Sequence, residues 1–244
     1  MNALDRVVGQ LPPITLPELD ATAALMTRVD CKYFVPGTVL AEMIAELDGC
    51  RVLEIDGLRR FDYRTVYFDS PRFDFYRHHV QGRRRRYKVR TRTYTDSGLC
   101  LLEVKSKGHR DCTVKERISH DPDRPDMLTT RGAAFVSSQT STDAAALRPV
   151  LTTIYQRSTL THGDQRITLD LDLDFRADGE QHHGPADVLV ETKSPGGRGR
   201  LDQMLLRARI RPHTVSKYCV AAALLYPTLP HNPWHRTLVR YFNN

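Results

Sequence analysis

Long apolar runs are missing from this 244-residue sequence. The longest, Tyr218 to Tyr226, has nine residues, and roughly 20 are needed to span a bilayer. No transmembrane segment is therefore expected, although docking to a separate membrane protein stays open. The amino-terminal residues show no cationic segment followed by a hydrophobic run, so no signal peptide is expected. Cysteines are few and odd in number, at 31, 50, 100, 112 and 219, with no C-x-x-C spacing. That excludes the usual structural zinc framework and fits a reduced, cytoplasmic protein. Aromatics make up 8% and no aromatic strand motif occurs, which argues against a single-strand nucleic-acid binder, since such modules need stacking platforms. The glycine-rich stretch Ser194 to Gly199 lacks P-loop spacing and reads as a flexible turn. His78 and His79 have no accompanying serine or cysteine nucleophile, so both are assigned structural roles.

Against these absences stand a hydrophobic content of 40%, sufficient for a proper core, and an excess of basic over acidic residues, 36 against 29. The formal charge of +7 points to anionic partners, whether nucleic acid, lipid headgroups or phosphorylated small molecules. One domain over residues 1–244 is expected.

The charge is patterned. In Arg83 to Arg92, RRRRYKVRTR, the even positions Arg84, Arg86, Lys88, Arg90 and Arg92 are all cationic, while Tyr87, Val89 and Thr91 fall on the other side of a strand. A turn at Asp96-Ser97-Gly98 leads into Leu99 to Lys105, where Leu102 and Val104 alternate with Glu103 and Lys105. One such hairpin is explained by a solvated sheet face. The pattern recurs, however: Arg28, Asp30 and Lys32; Thr113, Lys115 and Arg117; Arg166, Thr168, Asp170, Asp172 and Asp174; Glu191 and Lys193. Six strand candidates with charge at period two suggest a shared charged surface. Closed into a barrel with charges inward, they would need a polyanionic guest.

Elsewhere, Pro12, Pro13 and Pro17 make residues 1–24 an extended lead-in. Pro36-Gly37-Thr38 opens an amphipathic helix through Leu47. Val52 to Ile55 and Arg60 to Asp69 read as strands joined by an Asp56-Gly57 hairpin turn. In the second of them either Tyr63, Thr65 and Tyr67 or the intervening residues could face inward. Phe73 to Val80 is a short helix or link, and residues 119–150 form an irregular or helical connection. Strands follow at Leu151 to Leu160, Gln165 to Phe175 and Asp187 to Lys193, with Arg176 to Pro185 as a polar link. Residues 200–244 are helical, at Leu201 to Arg209, Val215 to Leu225 and Trp234 to Phe242.

Eight pieces in this order, Arg28-Val-Asp-Cys-Lys32-Tyr33, Tyr63-Arg-Thr-Val-Tyr-Phe-Asp69, Lys88-Val-Arg90-Thr-Arg92-Thr-Tyr94, Leu102-Glu103-Val-Lys105, Tyr155-Gln-Arg157, Arg166-Ile-Thr168-Leu-Asp170, Glu191-Thr-Lys193 and Ser216-Lys217-Tyr218, resemble the VTC domain of polyphosphate polymerases, over roughly residues 14–242. The resemblance implies an α+β, mainly antiparallel fold: an eight-stranded triphosphate tunnel barrel with covering helices. It implies transfer of the ATP γ-phosphate to a growing inorganic polyphosphate chain, with Mn²⁺ or Mg²⁺ bound. By motif, Lys32, Arg90, Arg92, Lys105, Lys115, Arg157 and Lys217 are placed around the reacting phosphates. Arg28, Arg86, Lys88, Arg166, Lys193 and Tyr155 are assigned to substrate binding. Glu191 is the metal carboxylate, with a salt bridge to Lys193 or a neighbouring arginine as its alternative role, and Glu103 is a second candidate. Tyr33 and Tyr155 lie beside the site or belong to the core, and Asp170 is expected to pair with an arginine such as Arg166. Where tunnel triphosphatases carry an ExExK first strand, this sequence reads Arg28, Asp30 and Lys32. Triphosphate hydrolysis is the alternative activity, and a non-catalytic polyphosphate-binding module the alternative class.

Overall fold

Alternation in the strands and 3.6-residue spacing in the helices sort the side chains of this chain into apolar and charged faces. The computed structural model describes residues 2–22, 28–107 and 113–242. Its contacts divide into two compact units, Met1–Phe61 with Gln156–Asp172 and Pro185–Thr214, and Asp62–Tyr155 with Leu173–Gly184 and Val215–Asn244. The architecture is α+β with a mainly antiparallel sheet.

In the first unit, β2 (Arg28–Val35) pairs with β11 (Val188–Pro195), which pairs with β9 (Gln165–Ala177), followed by β8 (Arg148–His162). Lys32 lies opposite Glu191, and Glu191 opposite Thr168. The other face of these strands carries Tyr33, Val35, Val188, Val190, Ile167, Leu169 and Leu160, all buried. Onto this apolar face pack α1 (Ala3–Gln10), α3 (Gly37–Ala45) and α6 (Arg200–Arg207) through Leu4, Val8, Leu40, Ile44, Leu201 and Leu205. Truncating a fully buried leucine such as Leu40 to alanine should cost about 2–5 kcal/mol.

The lead-in expected to be extended instead contains α1 and α2 (Leu16–Thr22). An Asn2–Asp5 capping box satisfies the first amide groups of α1, and Leu4 and Val8 give it a buried stripe. Asp56 and Gly57 do adopt left-handed φ values, joining Ile55 to Leu58 by a local bridge. They do not join two neighbouring strands, because β3 (Arg51–Leu53) pairs with β1 (Pro13–Ile14) and β8.

The turn at Gly196 to Gly199, expected to be flexible, ends in a packed junction. A Cβ on Gly199 would lie 2.2 Å from the Gln165 side chain. That side chain is fixed by bonds to Ser194 and Asp202. The buried Asp202 also accepts from the Tyr33 and Thr192 hydroxyls and the Gly199 amide, so the start of α6 is pinned to three strands.

In the second unit the order is β8, β4 (Phe61–Asp69), β5 (Tyr87–Tyr94), β6 (Leu99–Lys107) and β7 (Thr113–Ser119). Val66, Phe68, Val89, Leu102 and Val104 form one buried face, covered by Phe75 of α4 (Asp74–Val80) and Val136 of α5 (Thr130–Thr140). The buried Asp69 accepts from the amides of Ser70, Phe75 and Tyr76 and from the Tyr218 hydroxyl. It thereby ties α4 to α7 (Lys217–Leu225). The polar link expected after Phe175 contains β10 (Glu180–His183), a hairpin partner of β9. Its loop, Asp178-Gly179, has both φ values positive, at 49° and 83°, the type I′ geometry that suits a two-residue hairpin. Helix α8 (His235–Tyr241) follows α7.

Candidate functional site

The charged face of the second unit is built by register. Lys88 lies opposite Lys105, and Lys105 opposite Lys115. Three lysines thus form a row across β5, β6 and β7. Directly opposed like charges destabilise a sheet, so this row opposes folding unless an anion offsets it. The next row is Arg90, Glu103 and Arg117.

Glu103 is 1% exposed and holds three cations. Arg90 donates to its Oε2 from Nε at 2.8 Å, with Nη2 at 2.7 Å. Lys115 Nζ lies 3.1 Å from Oε1, and Arg92 Nη1 3.8 Å from Oε2. Burial raises the Glu103 carboxyl pKa, but the three cations outweigh it and hold it below the ordinary carboxylate range. Burial also lowers the Lys115 ammonium pKa, partly countered by Glu103.

Aromatic rings floor this face. Tyr67 and Tyr63 lie opposite Arg90 and Tyr94 in register, so Tyr63, Thr65 and Tyr67 share the face of the arginines. Arg90 Nη1 donates to the Tyr67 hydroxyl at 3.3 Å. The Arg92 guanidinium lies 5.7 Å from the Tyr63 ring centre. Tyr63 stacks on Tyr155, and Lys217 Nζ sits 4.4 Å from the Tyr155 ring centre. Tyr155 is buried among these groups, whereas Tyr33 belongs to the core of the first unit.

The first unit has its own charged face. Lys32 and Lys193 Nζ lie 3.6 and 3.4 Å from Glu191 Oε1. Arg157 grips Asp170 with two bonds of 2.5 and 2.8 Å. Asp170 thus pairs with an arginine, as expected, and that arginine is Arg157; Arg166 Nη1 lies 3.8 Å from Asp20.

The VTC domain family matches residues 27–226. The chain belongs to the VTC domain family. No curated protein matches the chain. Among solved structures, an adenylyl cyclase candidate from Hippeastrum, reported to have a dominant triphosphatase activity, superposes with a TM-score of 0.52 at 15% identity, covering 84% of this chain and 98% of the other. An adenylate cyclase candidate from Bacillus halodurans gives 0.52 at 12% identity, covering 78% and 93%. This VTC domain thus shares its fold with these two proteins.

Within the VTC domain, the sequence-predicted residues fall into two sets by unit. Arg90, Arg92, Lys105, Lys115, Lys88, Glu103, Tyr155 and Lys217 belong to the second, and Lys32, Arg157, Arg166, Lys193 and Glu191 to the first. Arg86 lies before the strand rather than on its face. Strand β5 begins at Tyr87, and Arg86 folds back so that Nη1 donates to the Arg83 carbonyl at 2.7 Å. The alternation from Arg84 to Arg86 is therefore loop sequence, not strand face. The side chain of Arg28 lies outside the described residues. Tyr63 and Tyr67 were not singled out by sequence, though their parity on β4 carries the signal once the register with β5 is known.

A hard divalent cation takes oxygen ligands, chiefly carboxylates and substrate phosphates. Among the described residues no group of three or more His, Cys, Asp or Glu side chains could hold a metal ion. Both oxygens of Glu103 are already in contact with cations, so it fits a counter-ion better than a ligand. Glu191 fits a site of the kind in which one carboxylate acts together with substrate phosphates, its neighbouring lysines standing 3.4 Å or more away.

Proposed function

We propose that this VTC domain is a polyphosphate polymerase that transfers the γ-phosphate of ATP to the end of a growing inorganic polyphosphate chain. The observation that carries the reading is the cross-strand row Lys88, Lys105 and Lys115 beside Arg90 and Arg92, a cation-rich face organised on one buried carboxylate. Phosphoryl transfer between phosphates requires positioning and charge neutralisation more than a base, because the attacking oxygen is already anionic. Arg90 and Arg92 supply planar donor forks and the lysines point charges. Glu103 keeps the arginines oriented. Lys217, held over Tyr155, contributes a further cation.

On this reading Lys32, Lys193, Arg157 and Arg166 also serve phosphate, Glu191 holds Mn²⁺ or Mg²⁺, and the strands close as an eight-stranded triphosphate tunnel. A metal held by Glu191 would supply charge neutralisation to the substrate phosphates. The excess of cations over carboxylates on these faces favours a long anionic chain over one triphosphate.

A second reading, triphosphate hydrolysis, is favoured by the activity reported for the Hippeastrum protein of the same fold. Incubation with ATP and Mn²⁺, measuring ADP, orthophosphate and polyphosphate separately, distinguishes them. ADP matched by polyphosphate supports the polymerase, and ADP matched by orthophosphate the hydrolase. Tight polyphosphate binding without turnover would leave a binding module.

A further inference from the structure

Ahead of β5, Arg83, Arg84 and Arg85 border a cavity of about 460 Å³ that is also lined by His78, Ser141 and Thr142. No carboxylate lines it. The cavity is not part of the lysine row. Tyr87, another of its lining residues, lies on the Val89 side of β5, and strand alternation sets that side opposite Lys88 and Arg90.

His78 fixes one wall of the cavity. Arg83 Nη1 stands 3.1 Å from His78 Nε2, and a guanidinium has donors only. Nε2 must therefore accept, and the neutral ring carries its proton on Nδ1. That Nδ1 is shielded from solvent and has no hydrogen-bond partner. Three guanidinium groups and two hydroxyl side chains, with no carboxylate among the lining residues, have the chemistry of an anion site. The loop is held in this form by Arg86, which donates to the Arg83 carbonyl, and by Arg83 itself, which donates from Nε to Gln81.

We propose that this cavity is a second phosphate-binding site, on the side of the sheet away from the lysine row. It takes a phosphate group either as free orthophosphate or as part of a polyphosphate chain. The arginines grip the phosphate oxygens and neutralise their charge, beside the His78 ring that Arg83 holds.

The test is a histidine-selective ¹H–¹⁵N spectrum of the full chain in EDTA at constant ionic strength, titrated with orthophosphate, tripolyphosphate and long-chain polyphosphate. The His78 ring should show the Nδ1–H tautomer, and its resonances should move on titration. A response to orthophosphate identifies a single phosphate group as the ligand, whereas a response to the chains alone identifies polyphosphate. Arg84→Ala/Arg85→Ala, which alters two exposed residues, should weaken the response at least about 10-fold, as expected for the loss of charge-assisted contacts. Ser141→Asp should do likewise by placing a negative charge at a left-handed position that aspartate tolerates. A His78 resonance unmoved by any of the three anions, or unchanged affinity in both variants, would overturn the proposal.

Discussion

Arg90 and Glu103 face each other in register across β5 and β6 and are joined by two nitrogens, at 2.8 and 2.7 Å, to one carboxylate oxygen. Removing one partner of a buried ion pair leaves the other uncompensated, which costs about 3–5 kcal/mol. Glu103→Gln should therefore lower the unfolding free energy by about that amount and reduce turnover, because Arg90, Arg92 and Lys115 lose their common anchor. In a double-mutant cycle with Arg90→Met the effects should fall well short of additive; additive effects would mean that the pair is not coupled.

Two groups in the second unit make stability fall in acid. Burial, with Lys88 next, lowers the His79 pKa from 6.5 to about 3, and its Nε2 lies 3.0 Å from the Tyr87 carbonyl. The unfolded chain takes up this proton below about pH 6.5 while the folded chain does not, so stability drops as pH falls through that window. From pH 7 to pH 5 the loss should be about 1–2 kcal/mol, partial exposure moderating the full linkage value. Glu103 acts in the same direction at lower pH. Its folded pKa is depressed, so its contribution is full above the ordinary carboxylate value and is lost as pH falls below it. Denaturant unfolding at a series of pH values should show His79→Gln flattening the pH 5 to 7 segment and leaving the more acidic fall in place.

Lys217 and Tyr155 should behave as a unit. Tyr155→Phe keeps the ring beneath the ammonium and should leave turnover within a few-fold of the parent, whereas Tyr155→Ala removes it and the stacking on Tyr63. Lys217→Met should reduce turnover about 10- to 150-fold if it contacts phosphate. Equal effects of the Phe and Ala substitutions would show that the hydroxyl, not the ring, is what matters.

Much of this site was legible because a strand repeats every two residues: the alternation from Lys88 to Arg92 and from Leu102 to Lys105 put the cations on one face and the core on the other. The same rule misled at Arg84 and Arg86, since a run of arginines shows period two wherever it occurs, in a loop as readily as in a strand. Pairing partners were not legible. That Arg157 binds Asp170 is decided by strand register, which depends on long-range pairing. The amino-terminal helices were obscured by prolines, although Asn2, Asp5 and the Leu4–Val8 spacing marked α1. Strand β10 was announced by Asp178-Gly179, but its polar sequence, Glu180–His183, lacks the alternation expected of a half-buried strand.

Glu191→Gln separates metal dependence from anion binding. Polyphosphate affinity should hold or rise slightly, since a negative charge leaves the neighbourhood of Lys32 and Lys193, while the Mn²⁺ concentration for half-maximal turnover should increase at least about 10-fold. An unchanged Mn²⁺ dependence would remove Glu191 from the metal site.

The most direct test of the account is the product balance of purified protein given ATP and Mn²⁺, run beside Lys105→Ala, the middle lysine of the cross-strand row. The account predicts ADP matched by long-chain polyphosphate, with turnover in Lys105→Ala reduced about 10- to 150-fold. ADP matched by orthophosphate, or a Lys105→Ala variant as active as the parent, would contradict it.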